Sequence, residues 1–129
     1  MTGKDRIILQ KTINYARDAI QYISSMNFEQ FMDDRKTISA CAFCIGQIGE
    51  LVKEVDPLTQ EANPQIPWRS IRGMRNKIIH DYENVDLAVL WGTIAKSLPE
   101  LILQMHQLLA VETLTALTLE ENKDDEYEL

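Results

Sequence analysis

Apolar side chains recur every three or four residues along most of the chain, the spacing that places them on one face of a helix. The first stripe predicts a helix over residues 5–26, with Asp5 as its N-cap. Its members are Leu9, Ile13, Ala16, Ile20 and Ile23. A short link over residues 27–32 follows, in which Phe28 and Phe31 are expected to pack against the core.

A second stripe predicts a helix over residues 34–55. Its members are Ile38, Cys41, Ala42, Ile45, Ile48, Gly49, Val52 and Val55. Gly46 and Gly49 lower helix propensity. Close approach of another backbone, or of a partner subunit, to this face would explain both glycines. The Asp56–Pro57 pair predicts the end of the helix, and the polar residues 57–66 predict a loop.

Two further helices are predicted in the second half of the chain. Pro67 suits a first helical turn, so that a third helix is expected over residues 68–82. A fourth is expected over residues 86–109, with its first residue as N-cap. Pro99 falls inside the fourth pattern and predicts a kink or break near residues 96–97. Four amphipathic helices with short links predict an all-α, up-and-down four-helix bundle.

The helical pattern fades after residue 111, which predicts one helical domain over residues 1–111 and a flexible, partly disordered acidic tail over 112–129. The formal net charge is −7, but residues 120–129 hold six acids and one lysine, and without them it is −2. This charge argues against nonspecific duplex binding, and it allows local contact with RNA. Because no apolar run could span a bilayer and the first residues do not resemble a signal peptide, we expect a cytoplasmic protein without membrane association.

Several residue types that often carry chemistry have structural explanations here. Cys41 and Cys44 could form a redox motif or half of a zinc site. They lie in an apolar stripe with no second pair at ligand spacing, so reduced core cysteines, no metal and no cofactor are expected. His106 is interpreted as a packing or surface residue, and Trp68 and Trp91 as core or interface residues.

Cationic side chains concentrate on the predicted third helix; they are Arg69, Arg72, Arg75, Lys77 and His80. On this helix, Arg72, Asn76 and His80 lie along one stripe, because they recur every four residues. Arg69 adjoins this stripe. Arg75 then lies about 140° around the axis from His80. Only its long side chain, or a partner helix, could bring the two groups together.

An arginine and a histidine can together cleave RNA without a metal ion. A neutral imidazole can accept the proton of a ribose 2′-OH, and a guanidinium can hold phosphate oxygens and offset the charge that develops at phosphorus. The leaving oxygen then needs a second proton donor, which a symmetric dimer would supply as a second histidine. An arginine five residues before a histidine is nevertheless a common pattern, and a cationic stripe is also typical of a solvated helix face.

The segment R-N-K-I-I-H-D-Y, residues 75–82, resembles the R-x4-H-x-Y signature of the HepT-like toxins of the HEPN superfamily. The segments C-I-G-Q-I-G-E-L-V-K-E-V (44–55) and I-P-W-R-S-I-R-G-M-R-N (66–76) resemble the family's second helix and its approach to the signature. V-D-L-A-V-L-W-G-T-I (85–94), followed by L-P-E-L, resembles the helix after it. The resemblance spans roughly residues 5–110.

This resemblance implies an endoribonuclease toxin of a type VII toxin–antitoxin system, with tRNA or mRNA as substrate. It implies that Arg75 and His80 are the catalytic pair and that Asn76 accompanies them. Arg72 and Arg69 are then supporting residues for RNA binding. The resemblance also implies a homodimer whose paired motif helices form the RNA-binding cleft.

Tyr82 matches the tyrosine that a partner minimal nucleotidyltransferase antitoxin adenylylates in these systems, although an aromatic residue packing at the helix end is the alternative. Glu50 could accept a hydrogen bond from an active-site arginine or lie at the surface. For the whole chain, the alternatives are a noncatalytic HEPN module that binds RNA or nucleotides and a structural partner of a nucleotidyltransferase.

Overall fold

The computed structural model describes the backbone of residues 1–80 and 84–127 and the side chains of residues 1–80 and 84–120. Within these residues the chain is all-α, as predicted, and only the isolated bridge between Ile79 and Val85 has β geometry. The helices are α1 Gly3–Ile23, α2 Phe28–Met32, α3 Arg35–Lys53, α4 Pro57–Ala62, α5 Trp68–Ile78, α6 Leu87–Gly92 and α7 Leu98–Tyr127. A π-helical turn, Thr93–Ser97, joins α6 to α7.

The core lies between the four long helical segments that the apolar stripes predict. Helix α1 packs against α3 and α7, and α3 packs in addition against α5. The largest fully buried side chains come from every one of these segments and from α2; they include Leu9, Ile13, Phe31, Ile45, Ile48, Ile78, Leu90, Ile94 and Met105. Removal of this apolar surface from water is the main force that holds the bundle together.

The start of α1 differs from the prediction that Asp5 is its N-cap. Thr2 caps the helix, since its hydroxyl accepts a hydrogen bond from the Asp5 amide at 2.9 Å. The Asp5 carboxylate is instead buried, where it accepts from the Asp56 amide at 2.9 Å and the Thr59 hydroxyl at 2.6 Å. Burial alone would raise the pKa of Asp5, but the hydrogen bonds, led by that of Thr59, outweigh it and hold the pKa below its ordinary value.

Two segments predicted as irregular are short helices. The expected link at residues 27–32 contains α2, which begins with reciprocal hydrogen bonds between Asn27 and Gln30. Phe31 is fully buried against Trp91, so the expected packing of this segment is confirmed. The expected loop at 57–66 contains α4, because Pro57 suits a first turn and Asp56 caps it.

In the second half of the bundle, the N-cap predicted at residue 86 is confirmed, whereas the last helix runs past its predicted end. Asp86 caps α6, accepting from the Val89 amide at 3.1 Å. The disruption expected near Pro99 is observed as the π-helical turn that ends at Ser97. Pro99 follows two residues later and has no amide hydrogen to donate to a helical hydrogen bond. Helix α7 continues to Tyr127, so the boundary predicted at residue 111 is a change from buried to exposed side chains within one helix.

Cys41 and Cys44 are free thiols inside the core. Burial raises the pKa of Cys41 to about 12 and that of Cys44 to about 11. Both side chains therefore stay protonated near neutral pH, and the prediction of reduced core cysteines is confirmed. Over the part of the chain that the structure describes, no helix is long and apolar enough to cross a bilayer.

Candidate active site

The end of α5 determines where His80 lies. The helix stops at Ile78, so the prediction of a helix reaching residue 82 was wrong. Ile79 has an extended backbone, with φ −109° and ψ 105°. The amide of Asp86 donates to the Ile78 carbonyl at 2.7 Å, and the His80 amide donates to the Asn84 carbonyl at 3.0 Å. The segment that leads into α6 thus satisfies the end of α5 and holds the His80 backbone beside it.

Because His80 lies beyond the helix, the predicted stripe of Arg72, Asn76 and His80 does not form. Arg72 is partly buried and donates from Nη1 to Gln60 Oε1 at 2.7 Å. It lines a different groove, which it forms with residues 53–57 and Gln60. Asn76 and Arg69 are exposed on α5. The structure therefore does not gather the three supporting residues around His80.

The side chain of Arg75 packs against α3 at Gly46. A Cβ atom placed on Gly46 would lie 3.7 Å from Arg75 Cδ and 3.9 Å from Nε. One turn later, a Cβ on Gly49 would lie 3.5 Å from the carbonyl oxygen of Arg72. The prediction that this glycine pair allows another backbone to approach is confirmed at Gly49. At Gly46, the small residue gives room to the arginine side chain instead.

Arg75 and His80 line the same open groove, which has a volume of about 730 Å³. One side of it is α3, from Ile38 to Gln47, and Arg75, His80 and their neighbours form the other. The predicted 140° separation of Arg75 and His80 does not apply, since it assumed one continuous helix. A single chain brings both side chains to one groove, which was the unexpected part of the site.

Glu50 lies close enough to Arg75 for an electrostatic interaction, but its hydrogen-bond partner is Lys53. Its carboxylate accepts from Lys53 Nζ at 2.8 Å at the surface. The pKa of Glu50 is lowered first by that hydrogen bond, then by the charge of Lys53 and, to a smaller extent, by the charge of Arg75. The structure therefore favours the surface interpretation of Glu50.

Phe43 is a residue of the groove that the sequence analysis did not identify. Its side chain is 58% exposed, and its ring forms a T-shaped pair with the ring of Tyr15 on α1, with centroids 6.1 Å apart. Phe43 lies off the apolar stripe of α3, beside the buried Cys44. An aromatic residue on the polar arc of a helix was the signal that could have found it.

The other candidates lie away from this groove or outside the described residues. His106 is on α7, where its Nε2 is 2.8 Å from Nη2 of Arg17 on α1, in agreement with a surface role. Trp68 is buried and donates from Nε1 to the Asn63 carbonyl at 2.9 Å. Tyr82, the predicted modification site, lies outside the described residues. In the described part of the chain, no group of three or more His, Cys, Asp and Glu residues is placed to hold a metal ion.

Comparison with known proteins places this bundle in a family. The profile described as "Ribonuclease HepT-like" matches residues 12–108. The chain is similar to "Putative RNase TTE0752" of Caldanaerobacter subterraneus subsp. tengcongensis, with 33% identity over 107 residues, 83% of this chain and 96% of the relative. It is also similar to "Probable ribonuclease HepT" of Thermococcus cleftensis, with 37% identity over 81 residues, 63% of this chain and 74% of the relative. No solved structure matches the chain. The chain belongs to the HepT-like ribonuclease family.

Proposed function

We propose that this chain is an endoribonuclease that cleaves RNA by attack of a ribose 2′-OH on the adjacent phosphodiester, without a metal ion. The observation that supports this most is the meeting of Arg75 and His80 in one open groove. These residue types supply a phosphate ligand and a proton acceptor. The family and the names of its relatives agree with a ribonuclease.

In the proposed reaction, neutral His80 accepts the proton of the 2′-OH. The freed oxygen bonds to phosphorus while the bond from phosphorus to the 5′-oxygen of the next nucleotide breaks. The products carry a 2′,3′-cyclic phosphate and a 5′-hydroxyl. Arg75 holds the nonbridging oxygens and stabilises the charge that builds on them in the transition state.

The 5′-oxygen must gain a proton as it leaves, and one histidine cannot supply it while acting as the base. In the proposed homodimer, His80 of a second copy is the donor, because the groove is open along one side and another chain can reach it. The proposed biological role is that of a type VII toxin acting on tRNA or mRNA. Asn76, Arg72 and Arg69 then lie outside the groove and can contact RNA only along flanking surfaces.

The test is cleavage of RNA by the purified chain with EDTA present. Arg75→Ala and His80→Ala are each expected to lower the rate by at least about 10²-fold. The chain offers a matched control, since Arg17 and His106 form an arginine–histidine pair on the α1–α7 surface. Arg17→Ala and His106→Ala are expected to cleave at the wild-type rate.

Equal activity in all five proteins would contradict the assignment of the groove. Loss of activity when EDTA is added would contradict the metal-free mechanism. RNA that binds the wild type and dissociates uncut would favour the alternative, a noncatalytic RNA-binding module. Sedimentation at micromolar concentration checks the homodimer, and a monomer that retains full activity would remove the second histidine from the mechanism.

Regulation by a minimal nucleotidyltransferase antitoxin through Tyr82 is the second part of the proposal. The tyrosine oxygen would attack the α-phosphorus of ATP, release pyrophosphate and lose its proton to solvent. An added AMP carries a negative phosphate and a bulky base two residues from His80, where it would repel and block an RNA phosphate.

Mass spectrometry after co-expression with such an antitoxin tests this regulation. We expect a gain of one or more AMP groups on the wild type and on the control Tyr22→Phe, and none on Tyr82→Phe. An unchanged wild-type mass would contradict the modification. An equal gain on Tyr82→Phe would place it on another residue.

A further inference from the structure

We infer that Phe43 is a stacking platform for a nucleobase next to the phosphate that Arg75 holds. This inference rests on the proposed ribonuclease function and adds a positioning residue to it. The chemical class recognised is an unpaired base of single-stranded RNA, because every base has a flat π-face that can lie on an aromatic ring.

The first argument is the exposure of the ring. Of the described residues that line the groove, Phe43 is the large apolar side chain that is more than half exposed. Its T-shaped contact with Tyr15 limits the orientations of the ring, and more than half of the side chain stays open to the solvent. A fixed, half-open aromatic ring is the arrangement that a base can cover without reordering the protein.

The second argument is the distance from Phe43 to the proposed phosphate ligand. Gly46 follows Phe43 by three residues on α3, which is an advance of about 4.5 Å along the helix axis. The side chain of Arg75 lies against Gly46, with its Cδ 3.7 Å from the position of a Cβ there. The stem of Arg75 therefore packs against α3 about one helical turn from Phe43, so that a phosphate held by its guanidinium and a base stacked on the ring can belong to adjoining nucleotides.

The surroundings of Phe43 favour RNA over a second copy of the chain. Ser39 and Gln47, one turn before and after it on α3, are polar, and Arg75 and His80 line the same groove. An interface between subunits needs roughly 800 Å² on each partner, with an apolar centre. The groove is also lined by the apolar residues Ile38, Ala42, Ile79 and Val85, but all four are partly buried. One largely exposed ring is too small for that centre, and beside the Arg75 guanidinium it suits a nucleotide, which combines a flat base with an anion.

A series of substitutions separates stacking from general apolar contact. Binding of a single-stranded RNA oligonucleotide is measured in the His80→Ala background, which keeps the RNA intact. Phe43→Ala is expected to weaken binding by about 5- to 150-fold, the range of one base–aromatic stack. Phe43→Tyr should bind like the parent, and Phe43→Leu should resemble Phe43→Ala because leucine keeps the volume but not the flat face. Ile7→Ala is the matched control, since Ile7 is also 58% exposed but lies on α1 outside the groove.

An abasic nucleotide tests the contact directly. RNA lacking the base beside the cleaved phosphodiester should bind the parent protein more weakly, by about the same factor as Phe43→Ala. It should bind Phe43→Ala no more weakly than intact RNA does, since the same contact cannot be lost twice. Independent, additive losses would overturn the inference, as would equal binding by the alanine, leucine and tyrosine variants.

The remaining outcomes distinguish this inference from the function on which it rests. A wild-type chain that neither binds nor cleaves RNA would overturn the proposed function itself. A wild type that cleaves RNA while Phe43→Ala binds and cleaves equally well would overturn the stacking platform alone. A change from dimer to monomer in Phe43→Ala during sedimentation would overturn it in favour of a contact between subunits.

Discussion

The packing of Arg75 against Gly46 predicts that side chains of increasing size at position 46 will act on the reaction and not on the fold. In Gly46→Ala, the new Cβ would lie 3.7 Å from Arg75 Cδ, which is an ordinary van der Waals contact. The arginine can then stay in place. Alanine also favours helix over glycine by about 0.5–1 kcal/mol. We expect wild-type activity and a slightly higher melting temperature.

Gly46→Leu adds three more carbon atoms beyond that Cβ, in space that Cδ and Nε of Arg75 now occupy. We expect the leucine to displace the Arg75 side chain from α3 and its guanidinium from the groove. Loss of one positioned donor to a developing oxyanion costs about 2.7–4 kcal/mol, which corresponds to a rate lower by about 10²–10³-fold. The effect should approach that of Arg75→Ala, and the two changes combined should cost little more than either alone.

The assay is kcat/KM for RNA cleavage, with thermal unfolding followed in parallel by circular dichroism. Gly92→Leu is the control, because Gly92 also lies in a helix but has no atom within 4 Å of a Cβ placed on it. That variant should keep both activity and stability. A folded Gly46→Leu protein with wild-type kcat/KM would refute the assignment of Arg75 to the reaction.

Three further expectations concern the bundle itself. Gly49→Leu should lower the free energy of unfolding by about 1–3 kcal/mol in urea titrations, because a Cβ already lies 3.5 Å from a backbone carbonyl of α5, and an unchanged midpoint would contradict this packing. Asp5→Ala should lower the free energy of unfolding by about 3 kcal/mol at pH 7, since it leaves the Asp56 amide and the Thr59 hydroxyl without their hydrogen-bond acceptor. The pKa of Asp5 is lowered in the folded state, so the ionised carboxylate stabilises the fold at pH values above the unfolded-state pKa of about 3.9, and this stabilisation is lost as the pH falls through the folded-state pKa. The difference in free energy of unfolding between the wild type and Asp5→Asn should therefore shrink in acid, and a difference that widens would contradict this. Cys41 and Cys44 should react with a disulfide reagent at pH 8 only after urea is added, because both thiols are buried and protonated, and rapid labelling of the native chain would contradict it.

Sequence patterns predicted the elements whose causes are local. The stripes of α1 and α3 and the cap of Asp86 depend on neighbours within a few residues, and the structure has them. Asp5 was assigned wrongly because its partners, Asp56 and Thr59, lie more than fifty residues away. A cap and a buried carboxylate have the same sequence signal when the distant donors are unknown.

The candidate site also depends on contacts between segments that local sequence patterns do not predict. Nothing in R-N-K-I-I-H breaks a helix, so the pattern predicted that α5 continues past His80. The helix ends at Ile78 because the chain folds back, and the Asp86 and His80 amides bond across the fold. Those bonds join segments whose pairing the sequence does not specify. The residue types of the site were therefore predictable from the family signature, while their meeting in one groove of one chain was not.

The most direct test of the central claim uses one RNA oligonucleotide with a single 2′-deoxy nucleotide on the 5′ side of the cleaved bond. If the groove of Arg75 and His80 catalyses attack by the 2′-OH, cleavage with EDTA present disappears at that bond alone. The unmodified strand then yields a 2′,3′-cyclic phosphate, and His80→Ala yields none. Cleavage of the deoxy-substituted bond at the wild-type rate, or an undiminished cyclic product from His80→Ala, would contradict the account.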